Sequence, residues 1–362
     1  MGSGASLSRP PLRARDDLSS MERYASQQAS ARYRLNTNES PYAPPPKVIE
    51  RITEELSGAG LNRYPNREAV PLRDRVAAYN DWPPEGVWVA NGSNEVFLHL
   101  LLAFGGPGRT AVIFEPTFPL HATIARITGT RALQRGRTED FLIDLDDAVA
   151  ALRDERPEIV VACSPNNPSG GCEPLGTIRT LLDEARGIVV VDEAYIEFAT
   201  REESTRSLLD THPNLVLVKT LSKAWSLAGV RLGYLLAAPD LVAEMEAVRI
   251  PYHLSTIAQV AGVAALDGAG ALQESVDVIT AERDRITIEL QKRGLVTYPS
   301  RANFVLFRVE DAPRVWQGLL SHDVLVRNLD EEPGLAGCLR VTAGLPEEND
   351  AFLGALDEAL DD

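Results

Sequence analysis

With 362 residues, 44% of them hydrophobic, the chain is long enough for a large core and for two domains in one subunit. Its 52 acidic and 36 basic residues leave a formal net charge of −16, which argues against the concentrated basic face that a nucleic-acid or anionic-membrane partner needs. The three cysteines, Cys163, Cys172 and Cys338, include no CxxC; a reducing cytoplasm is expected, with neither a disulfide framework nor a metal site.

Residues 1–20 are rich in Ser, Gly, Pro and Arg, show no periodicity and read as a flexible N-terminal arm. No apolar run reaches the roughly 18 residues of a membrane span, and the N-terminus lacks an apolar signal core, so a soluble protein with no membrane partner is expected. PYAPPP at 41–46 reads as a stiff, extended crossover. From about 87 to 238 short apolar runs predict strands: VWVA 87–90, TAVIF 110–114, EIVVAC 158–163, GIVVV 187–191, LVLV 215–218 and YLLAA 234–238. Helix-like EVFLHLLLAF 95–104 and LGTIRTLLDEA 175–185 lie between some of them. The alternation predicts an α/β fold with a mostly parallel central sheet covered by helices, ligands lying just past the strand ends.

After about residue 250 the pattern changes to long amphipathic stretches, 254–266 and 274–294, followed by strand-like NFVLFRV 303–309, VLVRN 324–328 and CLRVT 338–342. This predicts a smaller α+β domain. The expected division is an arm at 1–20, a large ligand-binding α/β domain at 45–250, and a small domain made of 21–44 and 251–362.

Four polar clusters follow or end strand-like runs: ANGSNE 90–95, SPNNPSG 164–170, VDEAY 191–195 and TLSK 220–223. NGSNE stands where a helix begins, so the amides of Ser93 and Asn94 can hold a phosphate there, although alone the cluster would be an ordinary N-cap. Asp192 closes a β-branched run and needs a hydrogen-bonding or cationic partner if buried. SPNNPSG alone would be a turn. Lys223 is out of place at the edge of a core unless something uses it. A strand-end lysine and aspartate, a phosphate cradle and Arg231 are together what pyridoxal phosphate demands: an amine for its aldehyde, a carboxylate for its ring nitrogen, and donors for its phosphate.

On these motifs, together with LNTNESPY 35–42, NRYPN 62–66, PTFPLH 116–121, TLSKAWSLAGVRLGY 220–234, VRN 326–328 and LRVTAG 339–344, the chain from about Tyr24 onward resembles the fold type I, class I/II aminotransferases, and among them the branch acting on histidinol phosphate. The resemblance implies that Lys223 bonds the aldehyde of pyridoxal 5′-phosphate, that Asp192 pairs with the ring nitrogen, and that Asn167 and Tyr195 hydrogen-bond the ring oxygen. Phe118 would stack on the ring, while Ser93, Asn94, Thr220, Ser222 and Arg231 hold the phosphate. It further implies that Tyr64 is lent across a homodimer interface, and that Arg327, Arg340, Asn38 and Tyr24 bind small-molecule substrates. Two arginines suit an enzyme that takes a carboxylate from glutamate and a phosphate from histidinol phosphate, although either alone would be a surface ion pair.

The sequence departs from the family pattern at Asn94, where Asp is common, and at His121, where an aromatic is frequent. Neither is expected to touch the Lys223–Asp192 pair, and His121 reads as a loop histidine with a structural hydrogen bond. An aromatic amino-acid aminotransferase, a decarboxylase of phosphorylated amino acids and a pyridoxal-binding regulator remain as alternatives; the acidic chain and the short arm argue against the last.

Overall fold

The computed structural model describes residues 13, 15–19, 21 and 29–361. Twelve strands occur among them: β1 Tyr33–Leu35, β2 Val87–Ala90, β3 Thr110–Glu115, β4 Arg131–Gly136, β5 Ile159–Cys163, β6 Ile188–Asp192, β7 Leu215–Thr220, β8 Gly233–Ala237, β9 Val296–Thr297, β10 Phe304–Arg308, β11 Val324–Asn328 and β12 Cys338–Thr342. They form a seven-stranded sheet, ordered β2-β8-β7-β6-β5-β3-β4, and a five-stranded sheet, ordered β1-β11-β12-β10-β9.

In the large sheet β3 pairs in parallel with β4 and β5, β5 with β6, and β6 with β7, while β8 runs against β7 and β2. The central strands are apolar on both faces because both are covered. Val112, Val160, Val189, Val191 and Leu217 face one hydrophobic cluster, and their neighbours Ile113, Val161, Val190 and Val218 face a second. Helix Ser93–Phe104 packs on the second face through Val96, Phe97, Leu100 and Leu101. The smaller sheet is mostly antiparallel, with β1 added in parallel to β11. This fold matches the predicted α/β architecture with a smaller α+β part.

Some elements escape the sequence patterns. The edge strand β4, RALQRG, has no apolar run because its outward row meets solvent; Arg131 and Arg135 pair with Glu155 and Asp147. The extended segment at 41–46 ends one residue early, since Pro46 opens the helix Pro46–Gly58, where a missing N–H costs nothing. Within the expected arm, Asp16–Ser19 form a helical turn and Arg15 Nη2 donates to the Ile127 carbonyl at 3.0 Å. The rest of the arm, Arg13 excepted, and Tyr24 lie outside the described residues. No helix among the described residues is long and apolar enough to cross a membrane.

Candidate active site

Parallel strands deliver their C-terminal ends to one rim, where a cavity of about 2030 Å³ opens between the two sheets. Its lining includes Phe118 beyond β3, Asn167 beyond β5, Asp192 and Tyr195 at and after β6, and Thr220, Ser222 and Lys223 at and after β7. Asn38, Ser93, Asn94, Arg231, Arg327 and Arg340 complete the set expected from sequence, while Tyr64 is absent from the lining.

One end of the cavity is a cup of donors. Ser93 and Asn94 open helix Ser93–Phe104, so their amides have no carbonyl one turn earlier, and Gly92 before them offers no capping side chain. Thr220 Oγ1 donates to Ser222 Oγ at 3.0 Å, and Arg231 Nη1 donates to the same Ser222 oxygen at 3.2 Å. Arg231 sits in the left-handed region at φ 57°, a conformation that costs a non-glycine residue energy and here swings its guanidinium over Gly92. A Cβ at Gly92, itself at φ 86°, would lie 2.7 Å from Arg231 Nη2. Helix amides, two hydroxyls and a guanidinium converging on one cup form a site for a phosphate-sized anion.

Lys223 stands beyond the cup. Its Nζ donates to the Thr37 carbonyl at 2.9 Å, and burial, then the neighbouring Arg340 charge, lowers its pKa to about 8. An amine so poised is a nucleophile and proton carrier near neutral pH. Asp192, 3% exposed, accepts from the Ala194 amide at 3.1 Å and from His121 Nε2 at 2.9 Å.

The His121 contact overturns the expectation made for that residue. His121 belongs to the helix Leu120–Ile127, is buried, and bonds directly to the Asp192 carboxylate. Its ring also packs on Phe97 and, edge to face, on Phe118, with centroids at 4.5 and 5.6 Å. The apolar spacing of Leu120, Ile124 and Ile127 behind Pro119 was the available signal for this helix. Asn94, the other departure, lines the cavity.

On the opposite wall, Arg340 of β12 and Arg327 of β11 are direct antiparallel partners and both line the cavity. Like charges so placed repel unless an anion joins them. Arg340, 7% exposed, donates through Nη2 to the Asn36 carbonyl at 2.8 Å and through Nη1 to Asn167 Oδ1, and lies over the Phe304 ring. The Tyr195 hydroxyl accepts from Asn38 Nδ2 at 3.0 Å and Asn167 Nδ2 at 3.4 Å, which leaves its own proton to donate elsewhere. Burial pushes the Tyr195 phenol well above its ordinary pKa, so it stays protonated. Asn38 is itself fixed at φ 56° by Thr342 and Asn303. Neither of these residues, nor the Asn36 and Thr37 carbonyls, announces itself by composition.

Tyr64 is 79% exposed and stacks on Tyr252 at 4.5 Å. No group of three or more His, Cys, Asp or Glu residues suited to a metal occurs among the described residues.

Residues 33–356 match the family described as aminotransferase class I and II. Histidinol-phosphate aminotransferase of Thermobifida fusca is 46% identical over 361 residues, covering 98% of this chain and 96% of its own. That of Mycobacterium avium is 44% identical over 353 residues, covering 95% and 88%. Among solved structures, histidinol-phosphate aminotransferase from Sinorhizobium meliloti in complex with pyridoxal-5′-phosphate superposes with a TM-score of 0.85 at 26% identity, over 92% of each chain.

Proposed function

The chain belongs to the class I and II aminotransferases, and from that premise we propose that it moves an amino group between L-glutamate/2-oxoglutarate and histidinol phosphate/imidazole-acetol phosphate, a step of histidine biosynthesis that uses pyridoxal 5′-phosphate. The observation that carries the reading is one cavity joining an anion cup, a lysine held near pKa 8 beside Asp192, and two directly opposed arginines.

The residues fit the cofactor. The cup, floored by a glycine whose Cβ would press on Arg231, would take a phosphate, and a buried carboxylate outside it would serve as the partner of a ring nitrogen. Pyridoxal phosphate, when bound, supplies an aldehyde that links to amines and a ring that withdraws electrons from the substrate α-carbon. Ser93, Asn94, Thr220, Ser222 and Arg231 would hold its phosphate, Phe118 would cover its ring, and Asp192 would keep a proton on its nitrogen. Asn167 Nδ2 and the Tyr195 hydroxyl would donate to its ring oxygen. Lys223 Nζ, unprotonated in a useful fraction of molecules at neutral pH, would take the proton from the substrate α-carbon and hand it to the cofactor carbon that had borne the aldehyde oxygen. Arg340, with Arg327 opposite, grips the carboxylate of glutamate or the phosphate of histidinol phosphate, and Asn38 holds Tyr195 in line. Tyr24 is assigned the closing of the substrate site.

The proposal includes a homodimer in a cytoplasmic setting. Segments 61–70 and 250–257, joined by the Tyr64–Tyr252 stack, expose Leu61, Tyr64, Val70, Ile250, Tyr252 and Ile257, an apolar group of the kind that another subunit covers. From there Tyr64 would reach the phosphate of the neighbouring subunit's cofactor.

Purified protein loaded with pyridoxal phosphate and offered single amino donors tests the reading. Histidinol phosphate and glutamate are each expected to convert the bound cofactor to its amine form, read by absorbance, while phenylalanine does so far more slowly. Faster conversion by phenylalanine than by histidinol phosphate would assign an aromatic aminotransferase, and carbon dioxide release without a keto product would assign a decarboxylase.

A further inference from the structure

The ends of β6 and β7 carry a second polar group that faces away from the cavity. Asp192 and Thr220 line the cavity, whereas their immediate neighbours Glu193 and Lys219 do not, as the alternation of side chains along a strand requires. Lys219 Nζ lies 3.5 Å from Glu193 Oε2, and the two side chains are 9% and 1% exposed. Glu193 Oε1 also accepts from the Thr205 amide at 2.7 Å and from Thr205 Oγ1 at 2.8 Å, and Ser204 Oγ bridges the two carboxylate oxygens at 3.1 and 3.2 Å.

Glu197 adds a second buried carboxyl to the group. Neither of its oxygens, nor the Trp225 indole N–H, makes a hydrogen bond of ordinary geometry, and burial pushes the Glu197 carboxyl above the usual carboxylate range, with Lys219 and then the nearby indole offsetting only part of that. Burial pulls the Lys219 pKa down, but Glu193 and then Glu197 outweigh it and leave the ammonium more firmly protonated than a free lysine. The group therefore touches both functional segments: Glu193 and Glu197 flank Asp192 and Tyr195, and Lys219 and Trp225 flank Thr220 and Lys223.

The backbone explains why such a link matters. The β6–β7 ladder ends at Asp192 opposite Val218, closed by the Glu193 N–H to Val218 carbonyl bond at 2.8 Å. Beyond it the chains part, one into the turn Ile196–Phe198 and the other into the loop that carries Lys223.

We infer that Glu193 and Lys219 are positioning residues for the cofactor site: their buried contact spans the parting of β6 and β7 and sets Asp192 against Thr220, Ser222 and Lys223. The pair touches neither cofactor nor substrate and acts through the strand ends. The inference rests on the reading that pyridoxal phosphate binds in the cavity.

The test compares wild type, K219M, K219R and T205V, the last of which loosens Glu193 while keeping every charge. Each apoenzyme is titrated with pyridoxal phosphate, and the pH midpoint of the bound cofactor's absorbance is recorded beside the circular dichroism spectrum. K219M is expected to lose affinity about tenfold, the lower end of what losing the partner of a metal ligand costs at metal sites, and to shift the pH midpoint. K219R is expected to restore both, and T205V to move both in the K219M direction by less. Unchanged affinity and midpoint in folded K219M would overturn the inference, and if K219M does not fold, the same result in T205V does so. Failure of wild type itself to bind pyridoxal phosphate would instead remove the functional reading beneath it.

Discussion

Replacing Lys223 by methionine in the cofactor-free protein is expected to stabilise it at neutral pH. The fold holds the Lys223 pKa at about 8 against 10.5 for an unhindered lysine, so keeping the ammonium in the folded chain at pH 7 costs about 3 kcal/mol. Methionine fills similar volume without charge and gives up the hydrogen bond to the Thr37 carbonyl, a loss of about 1 kcal/mol. The expected net gain is about 2 kcal/mol, or roughly 3 °C in Tm for a chain of 362 residues. The sign follows from proton counting. The unfolded lysine keeps its proton up to pH 10.5 and the folded one only to about 8, so between these values the unfolded state binds more protons and wild-type stability climbs with pH. The advantage of K223M is therefore full below pH 8 and gone by about pH 10.5. Denaturant unfolding of both apoproteins at pH 7 and pH 10 measures it. A K223M protein less stable than wild type at pH 7, or a difference equal at both pH values, would refute the reasoning.

Three further outcomes are expected. G92A places a Cβ against the Arg231 guanidinium at a left-handed backbone position, so apoenzyme affinity for pyridoxal phosphate should fall by about tenfold or more, from strain on the order of 1–3 kcal/mol; titration by absorbance reads it. R340K keeps the charge but cannot meet the Asn36 carbonyl, the Asn167 side chain and a substrate anion together; kcat/KM should fall about 100-fold in both half-reactions, the scale of 2–3 kcal/mol for a lost charge-assisted pair. H121F leaves the buried Asp192 carboxylate with only the Ala194 amide among these two donors, and urea unfolding at pH 7 should show a loss of about 1–3 kcal/mol.

The strand-end part of the candidate site was legible because its side chains stand at or just past an apolar run, and a buried central strand is apolar on both faces. Asp192 after Val189–Val191 and Lys223 after Leu215–Val218 are polar residues at places where chain composition changes abruptly. Strand β4 was not legible, because its solvent-facing edge carries arginines in place of an apolar run. Strand β1 is three residues long and exists by pairing with β11, nearly 300 residues away, a contact that no local pattern records. The His121–Asp192 bond was missed for a related reason: it joins a helix and a strand 71 positions apart. The carbonyls of Asn36 and Thr37, which orient Arg340 and Lys223, carry no side-chain signal at all.

The opposed arginines of β11 and β12 bear on the order of events. On the proposed assignment both substrates would bring an anion to the same pair of positive charges, a carboxylate in one half of the cycle and a phosphate in the other, and the two anions could not share that place. The first keto product would then have to depart before the second substrate arrives, and the amino group would wait on the protein between them. Alternation of the two substrates becomes a matter of electrostatic occupancy, and inorganic phosphate, which satisfies the same charges without reacting, should compete with both.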